Sequence, residues 1–268
     1  MKVENNILNS SKYTKKSMLK TPVRSLFLLF FTLTWVDSVY AACEDEAAPN
    51  VNWANCDLSG KDFKNKDLTD AILTGANLSD ADFSHATLEN ADFNFANLEG
   101  ARFDGSRMTN SRLVAVKAAA ASFRGANLEN SRLSRANLVN ADFSEVRADK
   151  ANFYQAKLKS ADFTSARLTG ANLEYADLTQ AKFDGALLGK ATLASARLYE
   201  TGFAGADASK AVFDECDCRL ADFTEANLTK ASFREADIEE SVFTEAVLSD
   251  TIWANYKRCR ASSIGECL

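Results

Sequence analysis

Few side chains in this sequence carry the chemistry of an active site. There is one histidine, His85, and there are six cysteines: Cys43, Cys56, Cys216, Cys218, Cys259 and Cys267. Aspartates such as Asp82, Asp92, Asp142, Asp162 and Asp222 recur at intervals that are multiples of ten. Paired carboxylates can serve as acid and base or hold calcium, a histidine can move protons near neutral pH, and thiolates can bind zinc. Each use needs partners, and the partners are missing. No serine, histidine and acid constellation can be assembled around His85. The clustered Gly-Asp loops of calcium-binding solenoids are absent. The terminal cysteine pairs lack the tight spacing of metal knuckles and have no histidine nearby. The expectation is therefore no catalytic residue, no metal and no cofactor, with His85 as a solvated surface side chain.

What positions these residues is a period. Phe63, Phe83, Phe103, Phe123, Phe143, Phe163, Phe183, Phe203, Phe223 and Phe243 recur every twenty residues, and a large apolar residue returns every five, from Leu58 to Trp253. Thirty-six of those forty centres are Leu, Phe, Ile, Met or Trp, which excludes chance. Two residues before each centre stands a small residue, usually Ala, as at Ala71, Ala76 and Ala81. Residues two apart on an extended chain share a face, so both point inward and the residue between them, often Asp or Asn, points out. The next inward residue comes three further on, so the chain turns a corner within every five. A strict five fits neither a 3.6-residue helix nor a heptad, despite the abundant alanine. Four fives close one coil, because identical residues recurring at twenty lie above one another. Ten coils at the β spacing of about 4.8 Å make a rod about 48 Å long.

Repeats such as Ala81-Asp82-Phe83-Ser84-His85, Ala126-Asn127-Leu128-Glu129-Asn130 and Ala226-Asn227-Leu228-Thr229-Lys230 resemble the pentapeptide-repeat family over about residues 54 to 255. That resemblance implies an all-β fold, a right-handed quadrilateral β-helix with turns at the corners and short β-bridges, and no active site. Some relatives imitate DNA and act on a topoisomerase, and some pair end to end through a C-terminal coil.

The organisation expected is a signal peptide over 1–41, an N-terminal cap over 42–57, the β-helix over 58–255 and a C-terminal cap over 256–268. Lys12, Lys15, Lys16, Lys20 and Arg24 precede an apolar run from Leu26 to Val36, and Val39 and Ala41 supply small residues for cleavage. An eleven-residue run is short of the roughly 20 residues of a membrane span. Met18 is an alternative start. A lipoprotein signal ending at Cys43 is the competing reading, disfavoured by Tyr40 three residues before the cysteine. Removing 1–41 takes away six basic and two acidic groups, changing the net charge from −6 to −10. An exported protein, periplasmic or secreted, with no transmembrane segment after cleavage, is expected.

A stack of rungs ends in unpaired backbone and an open core, so both ends need covers. Export favours disulfides there, Cys43 with Cys56 and Cys259 with Cys267. Cys216 and Cys218 fall in phase on inward positions and are expected as buried thiols. The centres Ala118, Ala148 and Ala208 are too small for their sites. Val116 and Val146 restore part of the volume beside the first two, but Ala206 restores nothing beside Ala208, so a void or a pinched coil is expected there.

Charge is the remaining signal. Residues 42–100 carry −9, 101–170 carry +6 and 214–250 carry −8. Folded onto four sides, Arg107, Arg147 and Arg167 share one face, Arg112, Arg132 and Arg135 lie on the next, and Lys150, Lys190, Lys210 and Lys230 line the corner between. That region is the candidate surface for an unknown protein or an anionic envelope component. The exposed aromatics Phe95, Tyr154, Tyr175 and Tyr199 suggest a second strip near one edge. The function expected is a non-enzymatic exported scaffold for protein–protein interaction. The alternatives are a DNA mimic that engages a topoisomerase or a structural cell-envelope protein. The export signal and the basic midsection argue against the mimic, and nucleic acid is not an expected partner. Cys259 to Leu268 reads as a closing cap, hence a monomer, with a dimer as the alternative.

Overall fold

The computed structural model describes residues 43–268, so the expected signal peptide at 1–41 and its flanking Ala42 lie outside the described residues. From Asn52 onward the chain is a right-handed quadrilateral β-helix in which every outward residue pairs in parallel with the one twenty positions later, as in Asn52 with Ile72, Asp57 with Asn77, Asp62 with Asp82 and Asp67 with Thr87. These four pairs begin four faces. Face one carries Asn52 through Ile252, face two Asp57 through Asp237, face three Asp62 through Val242 and face four Asp67 through Val247. Among the described residues there is no helix.

Each corner is made the same way. Every fifth residue from Asn50 to Asp250 has a positive φ, the left-handed region that turns an extended chain through a corner and that Gly, Asn and Asp adopt most readily. The chain also places Phe95, Tyr175 and Leu220 there, at a cost of about 1 kcal/mol each, so the closed coil overrides local preference. The outward aspartates secure the turns. Oδ1 of Asp82, Asp92, Asp142, Asp162 and Asp222 accepts the backbone N–H two residues on, at 2.8–3.0 Å. This is the Asx arrangement that favours Asp and Asn at such corners.

The ten phenylalanines stack through the core with centroids 4.7–5.0 Å apart at each step. Trp53 covers Phe63 at one end and Trp253 covers Phe243 at the other. Phe93, Phe153, Phe213 and Phe233 enter from the opposite face and meet the ladder edge-on, the geometry that ring quadrupoles favour. Two inward hydroxyls are satisfied internally: Ser131 donates to the Met108 carbonyl and Thr201 to that of Leu178. At Ala208 the ladder runs on unpinched, with its N–H 2.9 Å from the Asn227 carbonyl.

At the N-terminal end Cys43 is bonded to Cys56. At the C-terminal end the chain folds back in antiparallel bridges, Ile252 with Arg258 and Val247 with Ile264, and Cys259 is bonded to Cys267. Cys216 and Cys218 correct an expectation. They are bonded to each other rather than free, because adjacent inward positions of one side bring their Cα atoms to 5.4 Å, within the span of a disulfide. Both remain sealed in the core.

Candidate functional site

A rigid rod with a filled core leaves only its faces and corners to meet a ligand. His85 stands at the corner between faces three and four, exposed and at positive φ. Its ring lies against Gly105 one coil on, where an added Cβ would sit 2.7 Å from Nδ1. The named aspartates are committed to turns. Among the described residues no three His, Cys, Asp or Glu side chains converge as a metal site.

The structure separates the six candidate arginines into two kinds. Four are held by carboxylates one coil away or on the adjoining corner: Arg107 by Glu89 at 3.7 Å, Arg112 by Asp92 at 2.6 Å, Arg147 by Glu129 at 2.5 Å and Arg167 by Asp149 at 3.0 Å. Their charge is largely cancelled where it stands. Arg132 and Arg135 have no carboxylate partner among the described residues, and Arg135 donates only to Oε1 of Gln155. Arg112 and Arg132 line a shallow groove with the corner residues Asn90, Asn110 and Asn130.

The lysines that flank the arginines are the more open charge. Lys150, Lys190, Lys210 and Lys230 occupy one corner column, at positive φ, with no ion pair to any described carboxylate; Lys64 is the one described lysine in a salt bridge. Three of them sit on successive coils, about 4.8 Å apart. Beside them Leu187, Thr169, Asp207 and Ser209 line a notch next to Gly189. Sequence reasoning placed these lysines between the two arginine faces but weighted the arginines. What it missed is that each paired arginine meets a carboxylate 18 or 20 residues back, the stacking distance between rungs.

The exposed aromatics do not form one strip. Phe95, Tyr154 and Tyr175 lie on the corner between faces one and two, and Tyr154 meets Tyr175 edge-on at 5.6 Å. Tyr199 belongs to the next corner, under the Arg219 guanidinium at 5.7 Å. Nearby Asp217 is held below the usual carboxylate range by its hydrogen bond from Arg219, and the same pairing raises Arg219.

Comparison with known proteins matches the chain to two family models. "Pentapeptide repeat region" covers residues 49–123 and 116–193. "Pentapeptide repeats (8 copies)" covers 176–214, 202–239 and 216–252. Among solved structures the chain is similar to HetL, a pentapeptide repeat protein involved in heterocyst differentiation regulation from the cyanobacterium Nostoc sp. It shares 25% identity with HetL over 78% of this chain and 92% of that one, with a TM-score of 0.66. A pentapeptide repeat protein from the Arabidopsis thaliana thylakoid lumen matches at 29% identity over 44% of this chain and 71% of its own, with a TM-score of 0.20. QnrB1, a plasmid-mediated fluoroquinolone resistance protein, matches at 17% over 69% and 88%, with a TM-score of 0.34. No curated protein sequence matches the chain.

Proposed function

This chain belongs to the pentapeptide-repeat family, and from that premise we propose that it is a non-enzymatic, exported scaffold whose rigid side faces bind an anionic partner in the periplasm or outside the cell. Members of the family are in general structural or interaction proteins. The observation that carries the reading is the lysine corner. Lys190, Lys210 and Lys230 stand on consecutive rungs in no described ion pair, with Asp207 the carboxylate that shares the notch of the first two, and a like-charged column about 4.8 Å apart in spacing repels itself unless an anion covers it. Rigid presentation favours binding because the rungs hold the stems in place before the partner arrives. The paired arginines act as supports, tying neighbouring rungs together. Export is supported by the basic and apolar order of the leading residues and by cysteine pairs at both ends of the rod.

Two measurements test this. Cell fractionation should find the processed chain in the exported fraction, and intact precursor in the cytoplasm would remove the export half of the proposal. Capture from that fraction should fall when Lys190, Lys210 and Lys230 are changed to Glu, and change little when Arg107, Arg147 and Arg167 are. An identical capture pattern for wild type and the lysine variant would remove the lysine corner as the recognition surface.

A further inference from the structure

Face two, with its flanking corners, has an arrangement of charge that the other faces lack. In the three coils before Tyr175 it presents Lys117, Arg135, Lys157 and Lys159 and no carboxylate. In the three coils after Tyr175 it presents eight carboxylates against Arg197, Arg219 and Arg234. None of the four leading cations is in an ion pair among the described residues, while the three arginines of the second half are all paired within their own chain. Glu215 takes only the Ser195 hydroxyl at 3.1 Å, and Glu239 and Glu240 share a groove with Arg219 but are in no ion pair among the described residues. One half of the face is therefore short of anions and the other short of cations, with Tyr154 and Tyr175 at the boundary, Tyr175 being 55% exposed, beside Glu174 and Asp177, which Thr192 and Arg197 engage.

A face of this kind is complementary to itself reversed. A two-fold axis lying across the face at the Tyr175 coil turns a second copy antiparallel and sets each column against the same column, with coils exchanged about the centre. Arg135, two coils before Tyr175, then meets Glu215, two coils after it. By the same operation Lys117 meets Asp237, which Arg219 also reaches at 3.5 Å, and Lys157 meets Arg197, whose charge Asp177 offsets at 3.4 Å. The tyrosine pairs of both copies meet at the axis, where their apolar ring faces are covered. Beside Tyr175 a groove of about 320 Å³ is lined by Asp177, Ser195, Arg197, Glu215 and Asp217; Arg197 and Arg219 already hold Asp177 and Asp217, which leaves Glu215 as the carboxylate for an incoming guanidinium. We propose that face two is the interface of an antiparallel, side-by-side homodimer, with Arg135 of each copy seated against Glu215 of the other. This departs from the monomer that the terminal cap suggested. It leaves the lysine corner open, because that corner lies between faces four and one, so it stands whether or not the anionic-partner reading does.

The test is sedimentation equilibrium of the purified protein at low and high salt. A dimer is expected at low ionic strength, dissociating as added salt shortens the screening length below about 10 Å. Arg135→Glu alone and Glu215→Arg alone should each weaken the dimer about tenfold or more, since each reversal acts twice across the axis. Both corner positions tolerate the exchange, because Glu145 and Glu225 already occupy such corners and Arg135 itself does. The double variant should restore the dimer, and so should an equimolar mixture of the two single variants, in which each Glu faces an Arg. A monomer at every salt concentration overturns the proposal, as does a dimer indifferent to Arg135→Glu or a mixture that fails to associate.

Discussion

Ala208 offers a direct test of how the core is filled. Phe203 and Phe213 face each other across its coil at 5.7 Å and 89°. In two other coils the same edge-on pair has a leucine between its members: Leu88 between Phe83 and Phe93 at 5.9 Å, and Leu228 between Phe223 and Phe233 at 5.5 Å. Those separations bracket the one at Ala208, so the rings have not closed over the missing side chain. The backbone has not closed either, since the Ala208 N–H to Asn227 carbonyl distance of 2.9 Å equals that of Leu228 to Val247. Ala208→Leu therefore adds three carbons to existing space. At about 0.8 kcal/mol per buried carbon this contributes about 2.4 kcal/mol. Ordering a leucine side chain costs about 0.7 kcal/mol, leaving about 1.5–2 kcal/mol of stabilisation. For a chain of this size that raises the melting temperature by about 3–7 °C. Urea unfolding should show a higher midpoint with unchanged slope. A loss of about 1 kcal/mol or more on Ala208→Leu would instead mean overpacking of a coil that has already contracted, with no space left to fill. Ala148→Leu is the control: its rings also stand at 5.7 Å, but Val146 already occupies part of the volume, so its gain should be smaller.

Phe143→Ala removes stacks at 4.8 and 4.7 Å and an edge contact with Phe153, and should cost about 3–5 kcal/mol by denaturant titration; Phe63→Ala, at the end of the ladder, should cost less. Gly105→Ala should destabilise by about 1–2 kcal/mol, because φ is +62° and the new Cβ meets the His85 ring; adding His85→Ala should recover only the contact part, leaving the backbone part visible in thermal melts. Acid should act late. Asp217 is held below its ordinary value by Arg219, and Asp82, although burial pushes it up, is brought below by hydrogen bonds from Ser84 and by Lys64. Carboxyls lowered in the folded state stabilise it above their unfolded value and lose that effect as pH falls through the folded one. The melting temperature should accordingly hold from pH 7 to about 5 and drop below about 4; a fall already complete by pH 5 would contradict this.

The five-residue period by itself determined the coil, its four sides, the inward column of phenylalanines and the outward place of Asp82, Asp142 and Asp222. It could do so because a side chain's direction in an extended segment depends only on its place within the five, and stacking adds translation without new neighbours. Three matters were decided only by the tertiary structure. Whether an arginine is free depends on which carboxylate its side chain reaches on the next rung, so Arg147 and Arg167 are neutralised while Arg132 is open. Whether Cys216 and Cys218 are thiols depends on the Cα separation of 5.4 Å that the backbone of their side adopts. The self-complementarity of face two appears only when Arg135 and Glu215, eighty residues apart in sequence, are placed four coils apart on one edge. The period acts within a single rung, whereas charge and sulfur act between groups that the fold brings together.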